Sequence, residues 1–407
     1  MIRNKYLLFA LILVSTTAIS QHPFKYDHTV YKTVYLNNAF RLMDSLQNFL
    51  LLDVRSPGEF ADTSKATFRD IGRIRGSVNI SIDSIPGHLA VLKKYINEPV
   101  FVYCSHSQRS RRVSKLLAEN GFKKVYNING GMSVVNESGI ASFPYKNKVL
   151  LTNLDYTNIA STDAYDLIKN TPDLVIIDIR TEREFASADS VQANNIGRLK
   201  NAINIPQGVF AEKIDAWHIP KTSAILLYDL HGYNSMDVVE ILKGKGYSRI
   251  YNLYEGLEIF INDHHLKNLI TPLIVGAPAF HLIDTKSGID LLAGQPGLVV
   301  LDTRPLAEFT NTAELTYKNL GHIKNGIHIP SLDSLEIILQ QKNKSDIFLV
   351  YGSGEDLPTL VCQALVKKGF TNTYLLNRGL YDFVWSVANI EDCSAGKEFL
   401  TDHEGLY

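Results

Sequence analysis

The residues best suited to chemistry are Cys104-Ser105-His106-Ser107-Gln108-Arg109, with Arg111, Arg112 and Lys115 close behind. A thiolate is the reactive form of cysteine, and nearby positive charge raises its population at neutral pH. Val113, Leu116 and Leu117 form one stripe and Asn120-Gly121 is a natural stop, so a helix is predicted from Arg109 or Ser110 onward. The apolar run 100–103 reads as a strand. Cys104 then lies in a strand-to-helix loop, across a helix amino terminus whose unpaired N–H groups and dipole favour negative charge. Such a place suits both a nucleophilic thiolate and an anionic substrate.

A loop of this kind needs a parallel sheet behind it, and the chain repeats the pattern for one three times. Leu51-Leu52-Asp53-Val54-Arg55 with Glu59-Phe60, Ile176-Ile177-Asp178-Ile179-Arg180 with Glu184-Phe185, and Val300-Leu301-Asp302-Thr303-Arg304 with Glu308-Phe309 recur at intervals of 125 and 124 residues. A glycine follows each aspartate by 19 positions, at Gly72, Gly197 and Gly321. Each copy continues with a β-rich run ending in Tyr103, Tyr228 or Tyr351, and closes on Gly131, Gly256 or Gly379. The period is too long for a solenoid and indicates tandem domains. Apolar strands alternating with helices make each an α/β unit, a small parallel sheet covered by helices on both faces, with ligands at the carboxyl ends of its strands. The predicted units span 28–146, 150–267 and 272–390, followed by a tail over 391–407.

The bulk numbers narrow the function. A chain of 407 residues exceeds one ordinary domain, and 45% hydrophobic with 20% charged residues excludes disorder. A net charge of -1 provides no field for nucleic acid or an anionic membrane. Residues 1–20 join Arg3 and Lys5 to an apolar run over 6–14 and a small polar stretch ending at Ser20, the layout of a cleaved signal peptide. A periplasmic or secreted location is therefore expected. No membrane span should remain after cleavage, because the run is shorter than the ~20 residues a span needs. Cys362 reads as a buried small hydrophobe, and a Cys362–Cys393 bridge is left open. The pair His264-His265 lacks a second ligand cluster and is read as a surface turn, with no metal or cofactor expected.

Asp53-Val54-Arg55 with Glu59-Phe60, the Gly72-x-Ile74-x-Gly76-Ser77 block, the strand ending Tyr103-Cys104, the loop with Arg109-Ser110, and Gly130-Gly131 together resemble the rhodanese family of sulfurtransferases. The resemblance recurs once per repeat and implies three tandem rhodanese-like domains with persulfide chemistry. Cys104 would take the outer sulfur of thiosulfate or a persulfide donor and pass it to cyanide or a thiol. Loop amides would stabilise the charged sulfur and Arg109 would hold the donor's anionic end. Ser105, His106, Ser107, Gln108 and Ser110 would complete the cradle, His106 being either solvated or a proton donor. The six-residue loop from Cys104 to Arg109 is shorter than the C-x5-R loop of the family's phosphatase-like branch and suits a single sulfur atom. Ser107 stands where glycine is usual, so a positive φ there would be strained. Asp53 and Arg55 recur in every copy, with or without the cysteine, and are read as a structural brace.

The second copy has Asp229 at the cysteine position and Asn234 in place of Arg109, while the third has Gly352 followed by Glu355 and Asp356. Only the first unit can carry a persulfide. The Asp229 carboxylate is expected in the amide cradle, and the acidic third loop would repel an anionic donor. The second and third units become scaffold or recognition domains, with a protein partner as one occupant. A non-catalytic binding protein is the competing reading, and a phosphatase or arsenate reductase the third.

Overall fold

The computed structural model describes residues 30–354 and 356–401, so the signal-peptide segment 1–20 and Glu355 lie outside the described residues. Leu50–Asp53 and Pro99–Tyr103 are buried along their whole length, as strands covered on both faces must be. They pair in parallel with Asp53 opposite Tyr103, and the same register sets Asp178 opposite Tyr228 and Asp302 opposite Tyr351. The first sheet has the spatial order Lys32–Val34, Lys124–Ile128, Pro99–Tyr103, Leu50–Asp53, Val78–Asn79. The second and third repeat it, centred on Ala224–Tyr228 and Phe348–Tyr351. All three sheets are five-stranded, parallel and flanked by helices.

Each sheet separates two apolar cores. In the first unit, Leu51, Phe101 and Tyr103 meet Met132 and Phe143 on one face, and Leu52, Val100 and Val102 meet Val113 and Leu117 on the other. The predicted stripe of the helix after Cys104 is thus what seats it, and that helix runs Gln108–Glu119, starting one residue before the expected position.

The unit boundaries shift for a physical reason. Leu150–Leu151 pairs antiparallel with Arg73–Ile74, so residues assigned from sequence to the start of the second unit complete the first. Ile274–Val275 clips Arg198–Leu199 in the same way. Leu400–Thr401, assigned to a tail, clips His322–Ile323. The segment Glu391–Phe399 before it is 3-10 helix that buries Cys393 in the third core, so 391–401 belongs to the third unit. Cys104, Cys362 and Cys393 are all free and buried, which leaves no Cys362–Cys393 bridge. Among the described residues no helix is long and apolar enough to cross a membrane.

The units touch pairwise. Arg111 donates to Asn389 Oδ1 at 2.9 Å, Arg378 donates to Glu255 at 2.7 Å, and Lys146 lies 3.8 Å from Asp163. These contacts turn the carboxyl ends of the three sheets toward one another.

Candidate active site

Cys104 follows the central strand directly and is 1% exposed. The Cys104 and Ser105 carbonyls accept the N–H groups of Met132 and Ser133 at 2.9 and 3.0 Å. Gly131 allows this approach, since a Cβ at its φ of +56° would lie 2.1 Å from the Cys104 oxygen. With the carbonyls engaged there, none of the N–H groups from Ser105 to Arg109 meets an acceptor among the described residues. They form an open nest of donors, reinforced by the first turn of Gln108–Glu119.

The second unit reveals what that nest holds. The Asp229 carboxylate accepts the N–H groups of His231 at 2.9 Å, Gly232, and Asn234 at 2.5 Å. These positions match His106, Ser107 and Arg109 of the first loop. Burial still pushes the Asp229 carboxyl up against those three bonds. In the third unit Gly352 carries no side chain, and a Cβ there would meet Thr303 Oγ1 at 2.8 Å and Pro358 Cγ at 2.9 Å. A side chain at this position is thereby excluded.

Beneath each loop sits one ion pair. Arg55 donates to Asp53 at 2.7 Å and to the Gly72 carbonyl at 2.8 Å, with both side chains fully buried. Arg180 and Arg304 repeat both contacts with Asp178 and Gly197, and with Asp302 and Gly321. The pair ties the glycine block to the strand end and stays out of the cavity, a brace common to the copies with and without a thiol.

Several side chains assigned to substrate binding serve the loop itself. Ser107 has φ +73° and is buried, its Oγ accepting the Gly130 N–H at 2.6 Å. The strain expected of a serine at this position is present, and that bond offsets it. Ser110 also turns inward, donating to Asn127 Oδ1 at 2.6 Å, as Ser235 does to Asn252. Arg109 lines the cavity, but its guanidinium is clamped by both Glu59 oxygens at 2.7 Å and by Ser105 Oγ at 3.0 Å. Burial alone would push the Glu59 carboxyl up. The bonds from Arg109 and Ser56 outweigh it and hold it at about 2. Arg111, credited with positive potential, is instead a clamp to the third unit through Asn389 and the Ala388 carbonyl, while Arg112 faces solvent.

Glu59 is a partner the sequence reading missed. It recurs as Glu184 and Glu308, and in the first two copies it closes a capping box with Ser56 or Thr181. Among the described residues only Glu59 of the three binds an arginine, because Arg109 is Asn234 in the second copy and Lys318 takes Glu308 in the third.

Cys104, Ser105, His106, Gln108 and Arg109 open onto a cavity of about 830 Å³ where the three loops converge. His106 Nε2 lies 2.9 Å from Ser133 Oγ, and the Trp385 indole packs edge-on at 6.1 Å. The ring is accessible from the cavity yet enclosed by protein, and this loss of hydration lowers its pKa, keeping it neutral at pH 7. His264 and His265 lie in a turn as read from the sequence, with Asp263 gathered within metal-ligating reach of both, and His264 Nδ1 meets Asp284 at 2.5 Å.

A family model for the rhodanese-like domain matches residues 38–138, 161–263 and 287–384. The chain belongs to the rhodanese family. It is 33% identical over 81 residues to the uncharacterized protein YqhL of Bacillus subtilis (strain 168), covering 20% of this chain and 56% of that protein. The chain therefore spans only about half the length of that relative. Over 85 residues it is 28% identical to the thiosulfate sulfurtransferase GlpE of Stutzerimonas stutzeri (strain A1501), 21% of this chain and 68% of that one. A solved thiosulfate sulfurtransferase from Pseudomonas aeruginosa is 16% identical with a TM-score of 0.23, covering 87% of this rhodanese-family chain and 65% of the other.

Proposed function

We propose that the chain is a sulfurtransferase with one working site, in which Cys104 carries a sulfane sulfur as a persulfide. The observation that carries this reading is the open amide nest beside Cys104, set against the equivalent nest that binds the Asp229 carboxylate. The nest has the geometry for an anion, and in the first unit a thiol stands beside it.

The Cys104 thiolate attacks the outer sulfur of thiosulfate. A Cys104–sulfur bond forms as the sulfur–sulfur bond of thiosulfate breaks, and sulfite departs with the electron pair. The terminal sulfur then rests on the amides of the loop, whose shape Arg109 fixes through Glu59. A thiol or cyanide attacks that sulfur next and releases the Cys104 thiolate. With Asp229 and Gly352 in the other loops, one persulfide forms per chain.

Incubation with thiosulfate should add one sulfur atom to the intact mass, and cyanide should remove it as thiocyanate. Equal mass and equal thiocyanate yield from wild type and Cys104→Ser would overturn the reading. We propose also that the mature protein acts in the periplasm or outside the cell. Chain recovered from those fractions should begin at Gln21.

A further inference from the structure

The sulfur-transfer reading leaves unused a group of carboxylates that line the same cavity as Cys104. Glu137 ends the helix Gly131–Glu137 of the first unit, Glu255 and Glu258 come from the second, and Asp382 from the third. Two guanidinium groups line this space, and both are taken. Arg109 is clamped by Glu59, while Arg378 donates to Glu255 at 2.7 Å and to Glu258 at 2.9 Å. His231 adds a second partner for Glu258 at 2.9 Å.

What remains are Glu137 and Asp382, to which Arg378 offers charge through space but no hydrogen bond. The Glu137 carboxyl has no hydrogen-bond partner among the described residues, and the Asp382 carboxyl has only the Thr285 and Ser386 hydroxyls at 3.2 and 3.4 Å. Burial, then the charges of Glu255 and Asp382, push the Glu137 carboxyl up to about 8, so it is mostly the neutral acid at pH 7, while burial raises Asp382 to about 6 and leaves it charged there. Tyr233, Tyr381 and Trp385 form aromatic walls of the same space. Carboxylates short of counter-charge beside aromatic faces attract a cation and repel an anion.

We infer that the larger cavity is the acceptor site and that it takes a cationic, amine-bearing thiol. The inference rests on the proposed sulfurtransferase function and names the acceptor class for it. The ammonium group lies among Glu137, Asp382 and the aromatic walls, and the thiol points to Cys104. The acceptor sulfur attacks the outer sulfur of the Cys104 persulfide. One sulfur–sulfur bond forms, the bond to Cys104 breaks, and its electron pair stays on the Cys104 sulfur. The proton lost by the acceptor thiol passes to that sulfur, with neutral His106 in the same cavity as carrier. One disulfide-type bond replaces another, so no oxidant or reductant is consumed.

The test uses the full chain loaded with thiosulfate and discharged by cysteamine, 2-mercaptoethanol or thioglycolate at equal thiolate concentration. Cysteamine should exceed thioglycolate by about tenfold or more, as expected for a cation close to an unbalanced carboxylate. Glu137→Gln with Asp382→Asn should reduce the ratio to about twofold. A flat or reversed order across the three thiols overturns the inference. A second arm needs no sulfur chemistry: titration of Cys104→Ser protein with S-methylcysteamine should show saturable binding, lost with methylthioacetate as the probe. Equal binding of the two probes also overturns the inference. If no donor loads Cys104 the proposed function fails, and the binding arm still decides the charge preference of the cavity. Asp382→Asn alone, which removes the group charged at pH 7, serves if the double variant does not fold.

Discussion

Glu59→Gln separates what Arg109 does for the loop from what it could do for a donor. A carboxyl held at about 2 instead of 4.5 carries roughly 3 kcal/mol of preference for its charged form in the fold. Arg109 is 26% exposed and water shares its charge, so the coupling expected between the two side chains is about 2 kcal/mol. The sign follows from the depressed pKa. This stability is fully present above pH 4.5 and is lost as pH falls through about 2. The amide keeps the oxygen that caps Ser56, so the helix Pro57–Ala61 should survive. A global unfolding curve would mix three units, so the appropriate measurement is hydrogen exchange over 111–114, where the helix amides first find acceptors, beginning with Arg111 N–H to the Ser107 carbonyl at 2.9 Å. Protection there should fall by about 30-fold in Glu59→Gln, and a double cycle with Arg109→Leu should return the coupling. The freed guanidinium should in turn speed thiosulfate loading of Cys104 by roughly tenfold, as expected when a charge near the substrate loses its counter-ion. Coupling below about 0.5 kcal/mol would refute the clamp as the element that fixes the loop. Slower loading in Glu59→Gln would show that the pair, and not Arg109 freed from it, is what the donor needs.

Three further outcomes follow from the same contacts. Ser107→Gly relieves a left-handed serine, worth about 1 kcal/mol, but removes the acceptor for the Gly130 N–H, worth about as much, so stability should change by less than about 1 kcal/mol. Asn389 Oδ1, already 3.3 Å from that N–H, is placed to take it over, and persulfide loading by mass should persist. Arg111→Ala removes the bonds to Asn129, Asn389 and the Ala388 carbonyl and should raise hydrogen exchange across Gly379–Asn389 by an amount equal to about 2 kcal/mol. Glu137, facing Glu255, Asp382, Arg378 and Lys146, has a raised pKa, so its contribution to stability is present below 4.5 and lost as pH rises through about 8. Hydrogen exchange across Gly131–Glu137 should show the wild type losing about 1 kcal/mol more than Glu137→Gln between pH 5 and 9, after allowance for partial exposure.

The repeats explain which parts of this architecture the sequence made legible. Within a unit, every position has two others as controls. Asp53 and Arg55 recur beside Asp229 and Gly352 as well as beside Cys104, and the structure gives all three pairs the same buried contact with a glycine carbonyl. Glu59 was visible by the same logic but escaped, because its meaning depends on Arg109, 50 residues away, and a capping glutamate explains the recurrence by itself. Ser107 and Ser110 were misplaced for a different reason. Loop membership fixes backbone position, but the direction of a small polar side chain depends on Gly130 and Asn127, which arrive from the next strand and turn.

Between units that control disappears. The residue before the late glycine is Gly130, Glu255 and Arg378 in the three copies, and all three have positive φ at a helix start. Read along the chain, a glutamate and an arginine at a position suited to glycine look like two unrelated substitutions. Once the carboxyl ends of the sheets face one another, these equivalent positions lie side by side and pair at 2.7 Å. Backbone strain of this kind persists where surrounding contacts over-determine it, and here the contact is a salt bridge across a unit boundary. The second and third units therefore do more than surround a single thiol. Their departures from the repeat are located at the cavity, where they supply Arg378, Asp382, Glu255 and Glu258 around the sulfur of the first.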